Sequence, residues 1–251
     1  MRRILLALAG AAALTMGAAQ AADEPQLPDS KWSFEGPFGT YDRAELQRGF
    51  QVYHDVCSTC HPVTHLSYRN LAEIGFSAEE VKAIAAQAQV TDGPNDAGEM
   101  FQRPGRPSDP IVRPFANDNA ARAANNGALP PDLSLITKAR EGGPHYVFKV
   151  LTGYRDAPAD VKMGQGMQYN VEFPGHQIAM PPPLADDSVT FTDGTKAVLP
   201  EEAHDVVAFL SWAAEPNLEA RHHMGAKVLA YLVIATILFY AVKRRIWAKV
   251  H

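Results

Sequence analysis

Cysteine is almost absent from this sequence: its 251 residues include two, Cys57 and Cys60. Two cysteines cannot build the framework of crosslinks that stabilises small secreted domains. A body of about 200 residues does not need one, because it buries enough apolar surface to fold without crosslinks. The cysteine pair is therefore expected to serve a chemical purpose.

Long apolar runs are missing from the interior of the chain and occur at its two ends. Residues 1–21 combine two arginines, an apolar stretch and the small-residue motif Ala19-Gln20-Ala21, which predicts a cleaved signal peptide. Residues 224–242 form an apolar segment with one charge, close to the roughly 20 residues that a membrane-spanning helix needs. An uncleaved anchor and a buried core helix are the respective alternatives.

A basic cluster follows the second apolar run, in residues 243–251. Basic residues next to a membrane span are typical of the cytoplasmic side. The sequence therefore predicts a single-pass protein of the inner membrane. Residues 22–221 would form its domain on the periplasmic side, and the C terminus would lie in the cytoplasm.

Basic side chains are scarce in the exported part. Residues 22–220 contain 15 Lys and Arg against 28 Asp and Glu, a balance of −13. This sign disfavours nucleic acid as a partner and favours a basic protein, whose association it would accelerate; a simple solubility role is the alternative. Two groups of acids are candidate docking surfaces, the first favoured: Asp92, Asp96 and Glu99, or Glu201, Glu202 and Asp205.

Strand alternation is not evident anywhere, whereas helix signals recur, so the fold is predicted to be mainly α. The predicted helices run from Asp42 through Cys60, from Ser77 to Gln89, from Asp132 or Ser134 to Gly142, from Pro144 to Thr152, and from Pro200 to Pro216. The Gly- and Pro-rich residues 91–114 are predicted to form a long loop.

The segment "DVCSTCHPV", residues 55–63, is compatible with three chemistries: a redox dithiol, a zinc site or a covalent haem. Structural zinc sites need four ligands, and no His pair stands at the required spacing. A redox dithiol would be expected at a strand–helix junction, which the flanks do not predict. Cys-x-x-Cys-His is the attachment signature of a c-type haem. We therefore expect one covalently bound haem c on Cys57 and Cys60, with His61 as an iron ligand.

A methionine is the expected second iron ligand of an electron carrier, because a thioether raises the potential and closes the iron. Met180 precedes three prolines, which hold the chain extended and stiff. We expect Met180 to be this ligand. The alternatives are a methionine that fills a gap in the core and His176 as the ligand; Met100, Met163 and Met167 lie in Gly-rich, polar stretches.

Several segments together resemble the cytochrome c1 family, the haem subunits of cytochrome bc1 complexes. They are "RGFQVYHDVCSTCH", "TDGPNDAGEMFQRPG", "ARAANNGALPPDLSLI", "AREGGPHYVFKVLTGY", "FPGHQIAMPPPL", "FTDGT" and "FLSWAAEPNLEARHHMG", followed by the basic-ended apolar helix. The resemblance implies a mainly α protein, a class I cytochrome c-like domain with insertions plus one C-terminal transmembrane helix.

The resemblance also implies roles for individual residues. His61 would be the proximal iron ligand and Met180 the distal one. Arg140 and Tyr146 match family residues near a haem propionate. Asn125, Pro130 and Pro131 match residues that line the pocket.

The resemblance further implies partners: cytochrome b, the Rieske iron–sulfur protein as electron donor, and a soluble c-type cytochrome as acceptor. The chain would be an electron-transfer subunit and no enzyme by itself. Two alternatives are a membrane-anchored cytochrome that serves another acceptor, and a haem peroxidase or sensor with open iron.

Overall fold

The computed structural model describes residues 31–249, so the predicted signal peptide lies outside the described residues. The α-helices are α1 Arg43–Asp55, α2 Ala78–Gln87, α3 Asp118–Ala124, α4 Ile136–Ala139, α5 Gly143–Thr152, α6 Leu199–Ala214 and α7 Leu218–Trp247. Two 3₁₀ segments, Cys57–Thr59 and Tyr68–Ile74, and two short hairpins, β1 Gln89–Asp92 with β2 Phe101–Pro104 and β3 Gln168–Tyr169 with β4 Gln177–Ile178, complete the fold. The mainly α prediction is confirmed.

Helix α6 forms the centre of the core. Pro200 in its first turn suits the helix start, where its missing N–H is not needed. Almost every residue from Glu202 to Ala213 is buried, and α1, α4 and α5 pack around it. The contact with α1 is close because Gly49 faces the carbonyl of Asp205; a Cβ on Gly49 would lie 1.9 Å from that oxygen. This packing fixes the helix that leads into the Cys-x-x-Cys-His segment.

Two acidic side chains of α6 are fully buried. Asp205 accepts hydrogen bonds from Arg48 of α1, at 2.6 Å from Nε and 3.1 Å from Nη2. Glu202 accepts from the backbone N–H of Ser188 at 3.1 Å and from its hydroxyl at 2.5 Å. The alternative docking surface Glu201, Glu202 and Asp205 is therefore wrong, because two of its three carboxylates hold the fold together from inside.

Arg48→Ala should destabilise the folded domain strongly. The change leaves the carboxylate of Asp205 buried without its cation, which typically costs about 3–5 kcal/mol. Urea unfolding of the detergent-solubilised protein, followed by tryptophan fluorescence, measures the loss. Arg43→Ala is the matched control, because its partner Glu219 is partly exposed and a surface pair contributes about 0–1 kcal/mol. Equal losses in the two variants would contradict the buried pair's role.

Capping residues account for the helix predictions that are confirmed. Ser77 accepts from the N–H of Glu80 at the start of α2, and Asp42 accepts from Ala44 and Glu45 at the start of α1. Helices α5 and α6 also lie where Pro144 and Pro200 predicted them. The helix predicted from Asp132 or Ser134 is instead the four-residue α4.

Two local predictions are wrong. Helix α1 ends at Asp55 and does not continue through Cys60, because the chain tightens into a 3₁₀ turn at Cys57. Residues 91–114 are not all loop, because residues 101–104 return antiparallel along residues 89–92. This hairpin is largely exposed on both faces, so it lacks the apolar alternation by which a half-buried strand is recognised.

Helix α7 is 30 residues long; it begins at the buried Leu218 and leads away from the core. From Met224 onward nearly every side chain is exposed, and α7 is the one helix among residues 31–249 that is long and apolar enough to cross a membrane. At about 1.5 Å per residue it is roughly 45 Å long, enough for a bilayer with its headgroups. The predicted span, 224–242, lies inside it.

Candidate haem-binding site

The Cys-x-x-Cys-His segment forms one tight turn after α1. The backbone N–H groups of Cys60 and His61 both donate to the carbonyl of Cys57, at 3.1 and 2.9 Å. Both cysteines are free thiols and half-buried, and Cys57 packs against the core. Burial raises the pKa of the Cys57 thiol to about 12, and the neighbouring Cys60 adds to the rise. The two thiols and the imidazole are therefore carried by one hydrogen-bonded turn.

One hydrogen bond orients the ring of His61, and a second fixes its backbone. Its Nδ1 lies 2.8 Å from the carbonyl oxygen of Pro131, and its own carbonyl accepts from the hydroxyl of Tyr53 at 3.1 Å. Burial lowers the pKa of His61, and the bond to Pro131 opposes this only in part. The imidazole is therefore neutral, and with the proton on Nδ1 its Nε2 carries the lone pair that a metal ion needs.

Asp132 fastens the segment that carries the Pro131 carbonyl. Its carboxylate accepts from the backbone N–H of Ser134 at 2.8 Å, and from the N–H of Thr64 at 3.3 Å and the Thr64 hydroxyl. Burial raises the pKa of Asp132, but these hydrogen bonds more than offset it, so its net pKa is lowered and the group stays ionised. The segment that follows His61 and the segment that carries the Pro131 carbonyl are thus tied together.

A cavity of about 240 Å³ opens beside this turn. Cys60, Pro130 and Pro131 line it together with apolar residues such as Phe115 and Leu129, and with the polar or charged Arg113, Asn117, Asp118 and Asp132. The structure therefore brings both predicted pocket prolines to the second cysteine. Asn125 is not among the lining residues; its side chain donates to the carbonyl of Ala121 at 2.8 Å and closes the end of α3.

Met180 follows strand β4 and is half-buried. Its carbonyl accepts from the hydroxyl of Tyr154 at 3.1 Å. Burial raises the pKa of Tyr154, so this hydroxyl stays protonated and donates. The rival His176 is exposed at the turn between β3 and β4, with φ +56°, and its ring lies 5.8 Å from that of Tyr169. Of the two, Met180 is the less exposed, and its backbone is tied to a part-buried tyrosine.

Arg140 and Tyr146 lie close together at the junction of α4 and α5. Burial raises the pKa of Tyr146, and the nearby guanidinium of Arg140 opposes the rise. Arg140 itself is exposed, whereas Tyr146 packs against the core. In the described part of the chain, no hydrogen bond joins these two residues or Met180 to the Cys57–His61 turn.

Sequence reasoning missed the residues that position the predicted ligands. The sequence assigns no such role to Tyr53 or Tyr154, and it offers Asp132 only as a possible helix start. Tyr53 and Tyr154 do the same thing, since each donates its hydroxyl to the carbonyl of a predicted iron ligand. No sequence signal identifies Tyr154, because its partner Met180 is 26 residues away.

The donor set fits a haem better than a bare metal ion. The described residues contain no cluster of three His, Cys, Asp or Glu side chains that would hold an ion by themselves. Two thiols, a neutral imidazole and a cavity edged by prolines, with apolar walls and a few polar side chains, are the groups that a c-type haem uses. A haem bound here would supply one-electron redox chemistry, while the protein contributes its orientation and surroundings.

A mainly helical domain with a haem-type donor set, extended by a single apolar helix, defines the class of membrane-anchored cytochromes. The model of the Cytochrome C1 family matches residues 32–250. Cytochrome c1 of Rhodospirillum rubrum is 48% identical over 100% of this chain and 98% of its own length. The chain belongs to the cytochrome c1 family, and it is an electron-transfer subunit of a bc1 complex and no enzyme by itself.

Two further relatives extend the comparison. Cytochrome b/c1 of Bradyrhizobium diazoefficiens is 46% identical over 99% of this chain, which spans 40% of that longer protein. The mitochondrial heme protein cytochrome c1 1 of Arabidopsis thaliana is 47% identical over 97% of this chain and 81% of its own length. The similarity thus reaches from bacteria to mitochondria, and it rules out the peroxidase or sensor interpretation.

Proposed function

We propose that Cys57 and Cys60 hold one haem c through thioether bonds, with His61 and Met180 as the two iron ligands. The observation that carries this proposal is the orientation of His61, whose Nδ1 is held 2.8 Å from the Pro131 carbonyl on the turn that bears both thiols. Arg140 and Tyr146 would face a haem propionate. Pro130 and Pro131 would pack against the porphyrin edge, and Asn125 would stabilise the adjoining end of α3.

The electron route follows from this site and from family membership. The haem takes an electron from the Rieske iron–sulfur protein and passes it to a soluble, basic c-type cytochrome. Cytochrome b is the membrane partner, and the relative from Bradyrhizobium, whose name joins b and c1, supports this assignment. The acidic balance of −13 in residues 22–220 supports a basic acceptor.

The domain arrangement completes the proposal. Residues 1–21 direct export and are removed, residues 22–221 form the haem domain on the periplasmic side, and residues 224–242 cross the inner membrane. The basic tail, 243–251, stays in the cytoplasm. The exposed apolar surface of α7 and the basic residues at its far end support this orientation.

Right-side-out spheroplasts test topology and function together. Supplied with a quinol, they should reduce a basic cytochrome c added outside. External protease should release a soluble haem fragment ending near Arg221 and abolish that reduction. Spheroplasts that lack a functional copy of this chain are the control. A haem domain protected from external protease, or reduction that survives its release, would contradict the proposal.

A further inference from the structure

Phe38 is the most exposed large apolar side chain among the described residues. It is 85% exposed, whereas the most exposed large apolar residue of α7, Phe239, reaches 74%. A phenylalanine more open to solvent than the surface of a membrane-spanning helix is unfavourable in water. It lies at the tip of a turn, Gly36-Pro37-Phe38, that carries no polar side chain.

This turn is rigid. Gly36 adopts φ +78°, and the N–H of Gly39 donates to the Gly36 carbonyl at 3.4 Å. The N–H of Thr40 donates to the carbonyl of Ser33 at 3.1 Å, which closes the base of the turn. Phe34 and Gly39 on the two sides of the turn are buried, whereas Glu35 between Phe34 and Gly36 is exposed. The exposed position of Phe38 is therefore built into the fold.

The turn is fastened to the start of α7. Nδ1 of His222 lies 3.1 Å from the carbonyl of Gly39, the residue after Phe38. The carboxylate of Glu219 accepts from the N–H of Tyr41 at 2.8 Å and from both terminal nitrogens of Arg43, at 3.1 and 2.9 Å. Residues 39–43 thus clasp the first turns of the helix, and the position of the tip relative to α7 is set.

The clasp places the tip at the edge of the apolar surface of α7. His222 precedes Met224, where the continuous exposed apolar run begins, by two residues or about 3 Å along the helix. A headgroup layer is roughly 5–7 Å deep on each side of the hydrocarbon. Lys227, inside the run, has a stem long enough to return its ammonium to that layer.

We propose that the turn Gly36-Pro37-Phe38 inserts Phe38 into the membrane interface beside α7, so that the lipid surface holds the haem domain at a second point. Apolar and aromatic side chains are favoured at this depth. The inference rests on the proposed passage of α7 through the membrane. Continuity with the lipid-facing surface of α7 favours lipid over a protein partner. The tip itself carries no charge, and the carboxylate of the adjacent Glu35 is paired with His145 at 2.7 Å.

The second contact has a mechanical consequence. A protein held by one helix can tilt in the bilayer together with that helix, whereas a second contact at Phe38 restrains that tilt. The clasp made by Glu219, Arg43 and His222 transmits the restraint. The haem turn after α1 would therefore keep a constant height and orientation above the bilayer.

Depth-dependent quenching of a label at position 38 tests the proposal. The full-length holoprotein, as Phe38→Cys, carries an environment-sensitive fluorophore on the new thiol. It is reconstituted in phosphatidylcholine vesicles with quenchers placed near the headgroup or near the chain ends. We expect a loss of emission with the shallow quencher and little loss with the deep one. Because Phe38 makes few contacts, the variant should fold, and its haem spectrum reports this.

Two matched single-cysteine variants separate the possible failures. Phe239→Cys, in α7, should be quenched by the deep probe, and Ala97→Cys, on the exposed hairpin tip, by neither probe. If 239 is quenched and 38 is not, the topology stands and the inference is overturned. Quenching at neither position refutes the proposed span itself. A label at 38 that ignores lipid and is shielded only in the assembled complex identifies a protein contact and also overturns the inference.

Discussion

Met180→Leu should lower the midpoint potential of the haem by a large margin, on the order of 0.1–0.3 V within the roughly 0.8 V range over which axial ligands tune haem iron. Leucine has nearly the same volume as methionine but no sulfur, so the fold should persist while the thioether that favours ferrous iron is lost. Because leucine has no donor atom, one coordination position of the iron would also become free for an external ligand. A redox titration and the binding of carbon monoxide to the reduced protein measure the two effects.

Two control variants make this test specific. Met167→Leu removes a thioether from the turn at residues 164–167, and it should leave the potential and carbon monoxide binding unchanged. His176→Ala removes the rival ligand and should likewise have no effect. If Met180→Leu behaves as the wild type while either control loses potential, Met180 is not the ligand.

Electron transfer to a basic cytochrome c should slow steeply with rising salt. Opposite long-range fields accelerate association by roughly 10- to 1,000-fold, and salt screens them over about 8 Å at physiological ionic strength. Stopped-flow rates between low and physiological salt should therefore fall about tenfold or more. A rate that does not change over this interval would leave the acidity of residues 22–220 as a solubility feature.

The structure sharpens the location of the docking charges. Arg103 forms salt bridges with both Asp92 and Asp109. The charge of Asp92 is therefore already neutralised within the protein and is less available to a docking partner. Asp96 and Glu99 are exposed at the far end of the same hairpin. Asp96→Asn with Glu99→Gln should flatten the salt dependence without changing the haem spectrum. Asp156→Asn with Asp160→Asn removes the same charge elsewhere; an equal effect from both pairs would indicate net charge alone and contradict docking at the hairpin.

The sequence predicts those parts of the fold that depend on neighbours along the chain. Ser77 with Glu80, and Pro144 and Pro200 in first turns, are local signals, and the helices they predict are present. The Cys-x-x-Cys-His signature and the proline-backed Met180 are local as well. Both can therefore be recognised from residue types and spacing alone, without knowledge of tertiary contacts.

The sequence could not predict what depends on distant partners. From the sequence, Glu202 and Asp205 resemble the exposed acidic residues that are common in the first turns of a helix. They are buried because Ser188 and Arg48, from other segments, donate hydrogen bonds to their carboxylates. Tyr53 and Tyr154 support the predicted ligands through backbone carbonyls, to which any residue type could contribute. Helix α1 ends before the cysteines because the 3₁₀ turn satisfies the Cys57 carbonyl twice, which periodicity does not reveal.

The mass of the intact protein under denaturing conditions tests the central claim most directly. Detergent-purified protein in acid, which unfolds the chain and releases non-covalent haem, should retain the mass of the chain from Ala22 plus one haem, because Cys57 and Cys60 each form a thioether bond. Neither thiol should then react with an alkylating reagent. A chain mass without haem, with two alkylated cysteines and the colour in the solvent, would contradict the account.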